Sequence, residues 1–142
     1  MWTGSEMIVW GGEFITATGG RYCACTVAAP SGSPVLSVSR GSGEAVLNWA
    51  ALPGASSYDV VRGSLSSLHG SGGDFASSVE RCLANDLTAT TLIDPDVPVS
   101  DAGFWYLVRG SSCGGAGSWN DGSSGQVGSR DPELNGSPNS CP

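Results

Sequence analysis

Apolar and polar residues alternate in several short runs of this chain with the two-residue period of half-buried strands. Ala45-Val-Leu-Asn-Trp49 places Ala45, Leu47 and Trp49 on one face. After the turn Leu52-Pro-Gly-Ala-Ser56, Tyr58-Asp-Val-Val-Arg62 returns with Tyr58 and Val60 facing inward. Ala89-Thr-Thr-Leu-Ile93 is β-branched and strand-like. Gly103-Phe-Trp-Tyr-Leu-Val-Arg109 is the strongest strand, with Phe104, Tyr106 and Val108 on one face and Trp105 and Leu107 on the other. Val35-Leu-Ser-Val38 predicts an edge strand, and Gln126-Val-Gly-Ser-Arg130 a weak final one interrupted by its glycine. Near the start, Met7-Ile-Val-Trp-Gly-Gly12 and Gly19-Gly-Arg-Tyr22 form two further apolar runs bounded by glycine pairs. Turn residues recur about every eight to twelve positions, a spacing that suits short strands joined by loops and not helices.

The pattern divides the chain. Residues 1–22 hold the two glycine-bounded strands. Residues 23–34, with Cys23, Cys25, Pro30 and Pro34 among small residues, read as a linker. Residues 35–131 carry the alternating strands, and 132–142 form a polar tail ending in Cys141 and Pro142. A length of 142 residues has room for one good core and a small appendage.

Charge removes several function classes. Thirteen acidic residues stand against six arginines, for a net charge of −7, so no basic surface is available for a nucleic-acid backbone. Lysine is absent, which excludes Schiff-base chemistry, a lysine general base and a phosphate-loop lysine. His69 is the single histidine. No apolar run approaches the length of a membrane span, and Met1-Trp-Thr-Gly-Ser-Glu6 has neither the basic nor the apolar region of a signal peptide. Five cysteines in a chain rich in Gly and Ser nevertheless suit an oxidising compartment. The expectation is an extracellular or cell-surface location, the chain being the C-terminal part of a longer secreted protein or its mature form.

Two resemblances follow from these residues. Met7-Ile-Val-Trp-Gly-Gly12 with Gly19-Gly-Arg-Tyr22, led by Trp2-Thr-Gly-Ser-Glu6, resembles part of one blade of a kelch-type β-propeller as found in bacterial surface proteins. A propeller needs several four-stranded blades, and one repeat cannot bury its own faces. Residues 1–25 are therefore expected either to end a propeller whose other blades lie elsewhere, or to pair with something outside the chain. Leu47-x-Trp49, Pro53-Gly-Ala-x-x-Tyr58-x-Val60-x-Arg62 and Phe104-x-Tyr106-x-Val108 are similar to a bacterial fibronectin type III domain, over residues 34–131. That resemblance implies an all-β sandwich with Trp49 and Tyr58 between two sheets. Two departures stand out. The stretch between Arg62 and Thr90 is long and carries Cys82. Phe104 stands where the family has its corner tyrosine, so the corner must be held by other means.

In such a sandwich the loop entering the fifth strand and the loop after Arg109 share a pole, which implies a bridge between Cys82 and Cys113. Cys141, on a tail long enough to turn back, could instead reach Cys113 or a linker cysteine. Cys23 and Cys25 are too close for an easy mutual bridge, so at least one is expected free or bonded to another chain. Zinc fits poorly, because C-x-C with scattered partners lacks the usual ligand pairs.

Other motifs weigh against chemistry. Gly110-Ser-Ser112-Cys-Gly114 matches G-x-S-x-G formally, but the glycine-rich residues after it cannot form the helix of a nucleophile elbow. Asp94, Asp96 and Asp101 cluster as weak calcium candidates, with turn formation the simpler reading. Trp105 and Trp119 are candidate glycan contacts if an indole face is exposed, with packing or protein contact the simpler reading. No cofactor is implied. The expected protein is non-enzymatic: an extracellular structural or adhesive module, with Met7, Ile8, Val9, Trp10 and Tyr22 contacting a protein partner. Strand addition of residues 1–25 to a neighbouring copy would give a homo-oligomer or filament. The competing expectation is an accessory spacer or carbohydrate-binding domain at the C-terminal end of a larger secreted propeller enzyme.

Overall fold

A computed structural model describes residues 6–10, 19–23 and 27–142, with side chains for 27–142. Glu6–Trp10 (β1) and Gly19–Cys23 (β2) pair antiparallel, from Glu6 opposite Cys23 to Trp10 opposite Gly19, as a two-stranded sheet of their own. The contacts expected of Met7, Ile8, Val9, Trp10 and Tyr22, and the bonding of Cys23 and Cys25, lie outside the described residues.

The alternating strands fold into a sandwich. Leu36–Arg40 (β3), Ala45–Trp49 (β4) and Thr91–Asp94 (β7) form an antiparallel sheet in the order β3-β4-β7. Ser57–Ser64 (β5), Val79–Leu87 (β6), Phe104–Ser112 (β8) and Gly115–Ala116 (β9) form a second sheet in the order β6-β5-β8-β9. The inward residues named by period two meet between the sheets: Leu47 and Trp49 pack with Tyr58, Val60 and Val108. The Trp49 and Tyr58 rings meet edge-on at 5.6 Å, and the Tyr58 hydroxyl accepts the Leu52 N–H at 2.9 Å.

β5 departs from the half-buried pattern, because residues 57–63 are buried on both faces. Its outer face carries a second core, in which Val61, Val79 and Trp105 pack with Trp119, Leu134 and Cys141. Three short helices frame that layer: Leu65–Gly70 (α1), Phe75–Ser78 (α2) and Asp131–Asn135 (α3). Each starts on a local signal. The Ser64 side chain accepts from Ser67 N–H and that of Asp74 from Ala76 N–H, while α3 begins at Asp131-Pro132. Gly63 lies so close beneath this layer that a Cβ there would overlap the Trp105 ring and the Ser78 carbonyl.

The expected final strand is corrected here. Residues 126–130 are not a strand; the Gln126 amide instead donates to Asn120 Oδ1 at 2.6 Å and to Gly128 O at 2.7 Å, shaping a loop. The last strand is the two-residue β9, because glycines at 114, 115 and 117 make a tight hairpin rather than a continuing ladder. The polar tail turns back onto the sandwich, with Leu134 and Cys141 buried in the outer core. The described end of the linker also packs, since a Cβ on Gly114 would overlap the Val27 carbonyl. Among the described residues no helix is long and apolar enough to cross a membrane.

Candidate functional site

Among the described residues the buried charged side chains meet at two places, Arg62 with Asp94 and Arg109 with Asp59, both anchored on β5. The first is the corner where the chain leaves β7 for β8. Arg62, on β5 and 6% exposed, donates through Nη1 to Asp94 Oδ2 at 2.9 Å and to Asp96 Oδ2 at 2.8 Å. Its Nε donates to Glu80 at 3.1 Å, and its guanidinium lies 4.0 Å from the Phe104 ring centroid. Burial opposes the Arg62 charge, but its hydrogen bonds to Asp96 and Asp94 outweigh that and raise its pKa. Asp94, fully buried, also accepts from the Tyr106 hydroxyl at 3.0 Å and from Asp96 N–H at 3.2 Å. This answers the missing corner tyrosine: Tyr106, two residues after Phe104, supplies the hydroxyl that closes the corner.

The same contacts already occupy Asp94 and Asp96, two of the three weak calcium candidates. Asp94 and Asp96 are neutralised by Arg62, and Arg81 donates to Asp96 at 2.7 Å, so a cation would have to displace two arginines. The Arg62 hydrogen bond holds the Asp96 carboxyl below the usual range. Asp101 is exposed in the loop with φ of 65°. No group of three metal-ligating side chains occurs among the described residues.

Tyr106 yields a test of this corner. Burial, then the bond to Asp94, raises its pKa from 10.0 to about 12. The folded state thus favours the neutral phenol, a contribution complete below the unfolded pKa and lost as pH rises from about 10 toward 12. Unfolding free energy measured across that window should fall, and Tyr106→Phe should flatten the fall. An unchanged slope in the variant would mean the hydroxyl does not close the corner.

The second cluster ties the outer layer to the sheet. Asp59 and Arg109, 2% and 3% exposed, form an ion pair at 2.8 Å. Arg109 also donates to Asn135 Oδ1 at 2.8 Å and to Pro142 O at 3.1 Å, and its guanidinium lies 4.4 Å from the Trp119 ring centroid. The Trp119 indole N–H donates to the same Asn135 oxygen at 3.1 Å. Trp119 is therefore buried at 1% exposure and Trp105 at 8%, edge-on to Phe75. Neither presents an open indole face on which a sugar could stack.

The disulfide expectation is corrected as well. Cys82 on β6 bonds Cys141, not Cys113, because the tail folds back across the outer face of the sheet and brings Cys141 to β6. Cys113 is disulfide-bonded too, with its partner outside the described residues. Gly110-Ser-Ser112-Cys-Gly114 forms the β8–β9 hairpin, with Ser112 Oγ accepting Gly114 N–H at 3.1 Å. His69 is exposed at the end of α1.

The chain matches no family model and no curated protein. Among solved structures it is similar to the crystal structure of a Fn3-like protein from Clostridium thermocellum, at 30% identity over 66% of this chain and 84% of that one, with a TM-score of 0.44. Strand order carries the assignment: β3-β4-β7 faces β6-β5-β8-β9, with Trp49 and Tyr58 in the core between them. The chain carries an Fn3-like domain.

One edge of the Fn3-like domain is left open. β5 pairs with all of β8, from Ser57 opposite Ser111 to Ser64 opposite Phe104, whereas β9 pairs only with Ser111 and Ser112. Beyond Gly110, which accepts Gly117 N–H at 2.8 Å, the outer edge of β8 has no backbone partner among the described residues. Two adjoining clefts run along it. One, of about 320 Å³, is floored by Tyr106, Leu107 and Val108; the other, of about 500 Å³, by Phe104 and Tyr106 beneath Val38.

Sequence reasoning named Asp94, Asp96, Trp105 and Trp119 but missed Asp59 and Arg109 as a buried pair. The available signal was a charge at an alternating position inside an otherwise apolar strand, in both β5 and β8.

Proposed function

We propose that this chain is a non-enzymatic structural or adhesive module of the cell exterior, and that its N-terminal arm joins copies by strand addition. The β1–β2 sheet is the observation that carries this reading: two strands, with no third beside them among the described residues. Two strands are marginal in water, and unpaired edges recruit a partner. The Cys82–Cys141 bridge and the bonded Cys113 suit an oxidising compartment. The buried charged groups are committed to ion pairs that hold corners and layers together, which supports a binding or scaffolding role over chemistry.

Native particle size decides the matter. Light scattering and electron microscopy of the full chain, with and without reductant, should show ordered oligomers or polymers that grow with concentration. A strict monomer at every concentration would overturn the reading and favour an accessory domain of a larger secreted protein.

A further inference from the structure

We infer that the open edge of β8, residues 104–109, receives β1 from a second copy of this chain. The inference rests on the strand-addition reading above and specifies its receiving site. The edges of β6 and β3 are guarded. β6 presents Glu80, Arg81, Asn85 and Asp86 and is broken by register shifts against β5, both of which discourage a further strand. β3 presents the exposed Ser37, Ser39 and Arg40. The β8 edge has neither charge nor bulge over residues 104–108, and it lies at the bottom of a groove.

The groove also says what it would accept. A strand laid beside β8 would have one face toward the inter-sheet space, where Val38 stands 52% exposed over the cleft floored by Phe104 and Tyr106. Its other face would turn toward the outer layer, beside half-buried Leu107. A strand covered on both faces reads as a continuous apolar run, not as an alternation. The chain's own continuation after β9, Gly117-Ser-Trp-Asn-Asp-Gly-Ser-Ser-Gly125, is polar, leaves the sheet and is anchored on the outer core by Trp119. Residues 7–10 of β1 have the required pattern: Met7 and Val9 alternate with Ile8 and Trp10, and the one charge, Glu6, stands at the leading end of the strand. Its five residues span nearly all of the six at 104–109, and β2 occupies only one of its edges. The product is one continuous sheet, β6-β5-β8 of one copy followed by β1-β2 of the next. Because donor and receiver are different surfaces, the contact is head-to-tail and repeats.

Hydrogen exchange of the full chain, followed segment by segment from dilute to concentrated solution, tests this alongside particle size. The alternate amides of 104–109 that face away from β5 should exchange roughly tenfold or more slowly once particles form. Val9→Asp in the donor and Val38→Lys on the groove wall should each remove both the protection and the particles. Val38 is exposed, so the lysine leaves the sandwich folded, which the buried-Trp fluorescence verifies. Particles forming with no change at 104–109 would overturn the inference and leave strand addition standing at another edge. Protection of 104–109 that is full even at the greatest dilution would also overturn it, because the edge would then be closed within one chain. Absence of particles at every concentration would remove the strand-addition reading itself.

Discussion

Cys141→Ser is expected to lower the unfolding free energy by about 4 kcal/mol. The bridge to Cys82 closes a loop at a sequence separation of 59, and a cross-link of that span removes entropy worth about 4 kcal/mol from the unfolded chain. Against a domain stability of roughly 5–15 kcal/mol, this is a large fraction. Cys141 is also 3% exposed, in the same cluster as Trp119 and Leu134, so its release frees the chain that covers Trp105. Denaturant unfolding of the variant, followed by tryptophan emission, would show a lower midpoint, and Cys82→Ser should match it. A change below about 1 kcal/mol would mean that the outer layer is held by packing and by Arg109 instead of by the bond.

Arg109→Met should cost a comparable amount, about 3–5 kcal/mol, because it strands the Asp59 carboxylate in the sheet without its partner. The geometry makes the loss steep. Asp59 accepts Arg109 at 2.8 Å and Asp86 N–H at 3.0 Å, and only the former carries charge. Removing both charges, as Asp59→Asn with Arg109→Met, should recover a good part of the loss, since the uncompensated ion is then gone. The double-mutant cycle on denaturant unfolding measures this directly. Equal destabilisation by the single and double variants would show that Arg109 acts through Asn135 and Pro142 alone.

The inner core was legible in the sequence, residue by residue. Leu47, Trp49, Tyr58, Val60 and Val108 obey period two because one face meets the opposite sheet and the other does not have to. The outer layer was not legible, for a physical reason. It covers β5 with pieces that carry no period of their own: a single indole at Trp119, a single Leu134 in a five-residue helix, and a cysteine. Their contacts are long-range, and strand alternation reports only local faces. The short helices did leave marks, in Ser64, Asp74 and Pro132 at their starts. Composition overshadowed them. The disulfide partner escaped for the same reason as the layer, since the path of the tail decides it.

The covalent loop from Cys82 to Cys141 encloses β7, β8, β9 and α3. A protease that cuts inside it, for instance in the exposed Gly-Ser loop between Trp119 and Arg130, leaves two fragments that cannot part. Trp119 on one side of such a nick and Leu134 on the other remain seated in the same core. With no lysine in the chain, and with Arg62 and Arg109 buried, trypsin-like enzymes find few places to begin. Damage at the surface would thus be retained as a scar in a standing domain, not shed as a missing piece, until something reduces the bond.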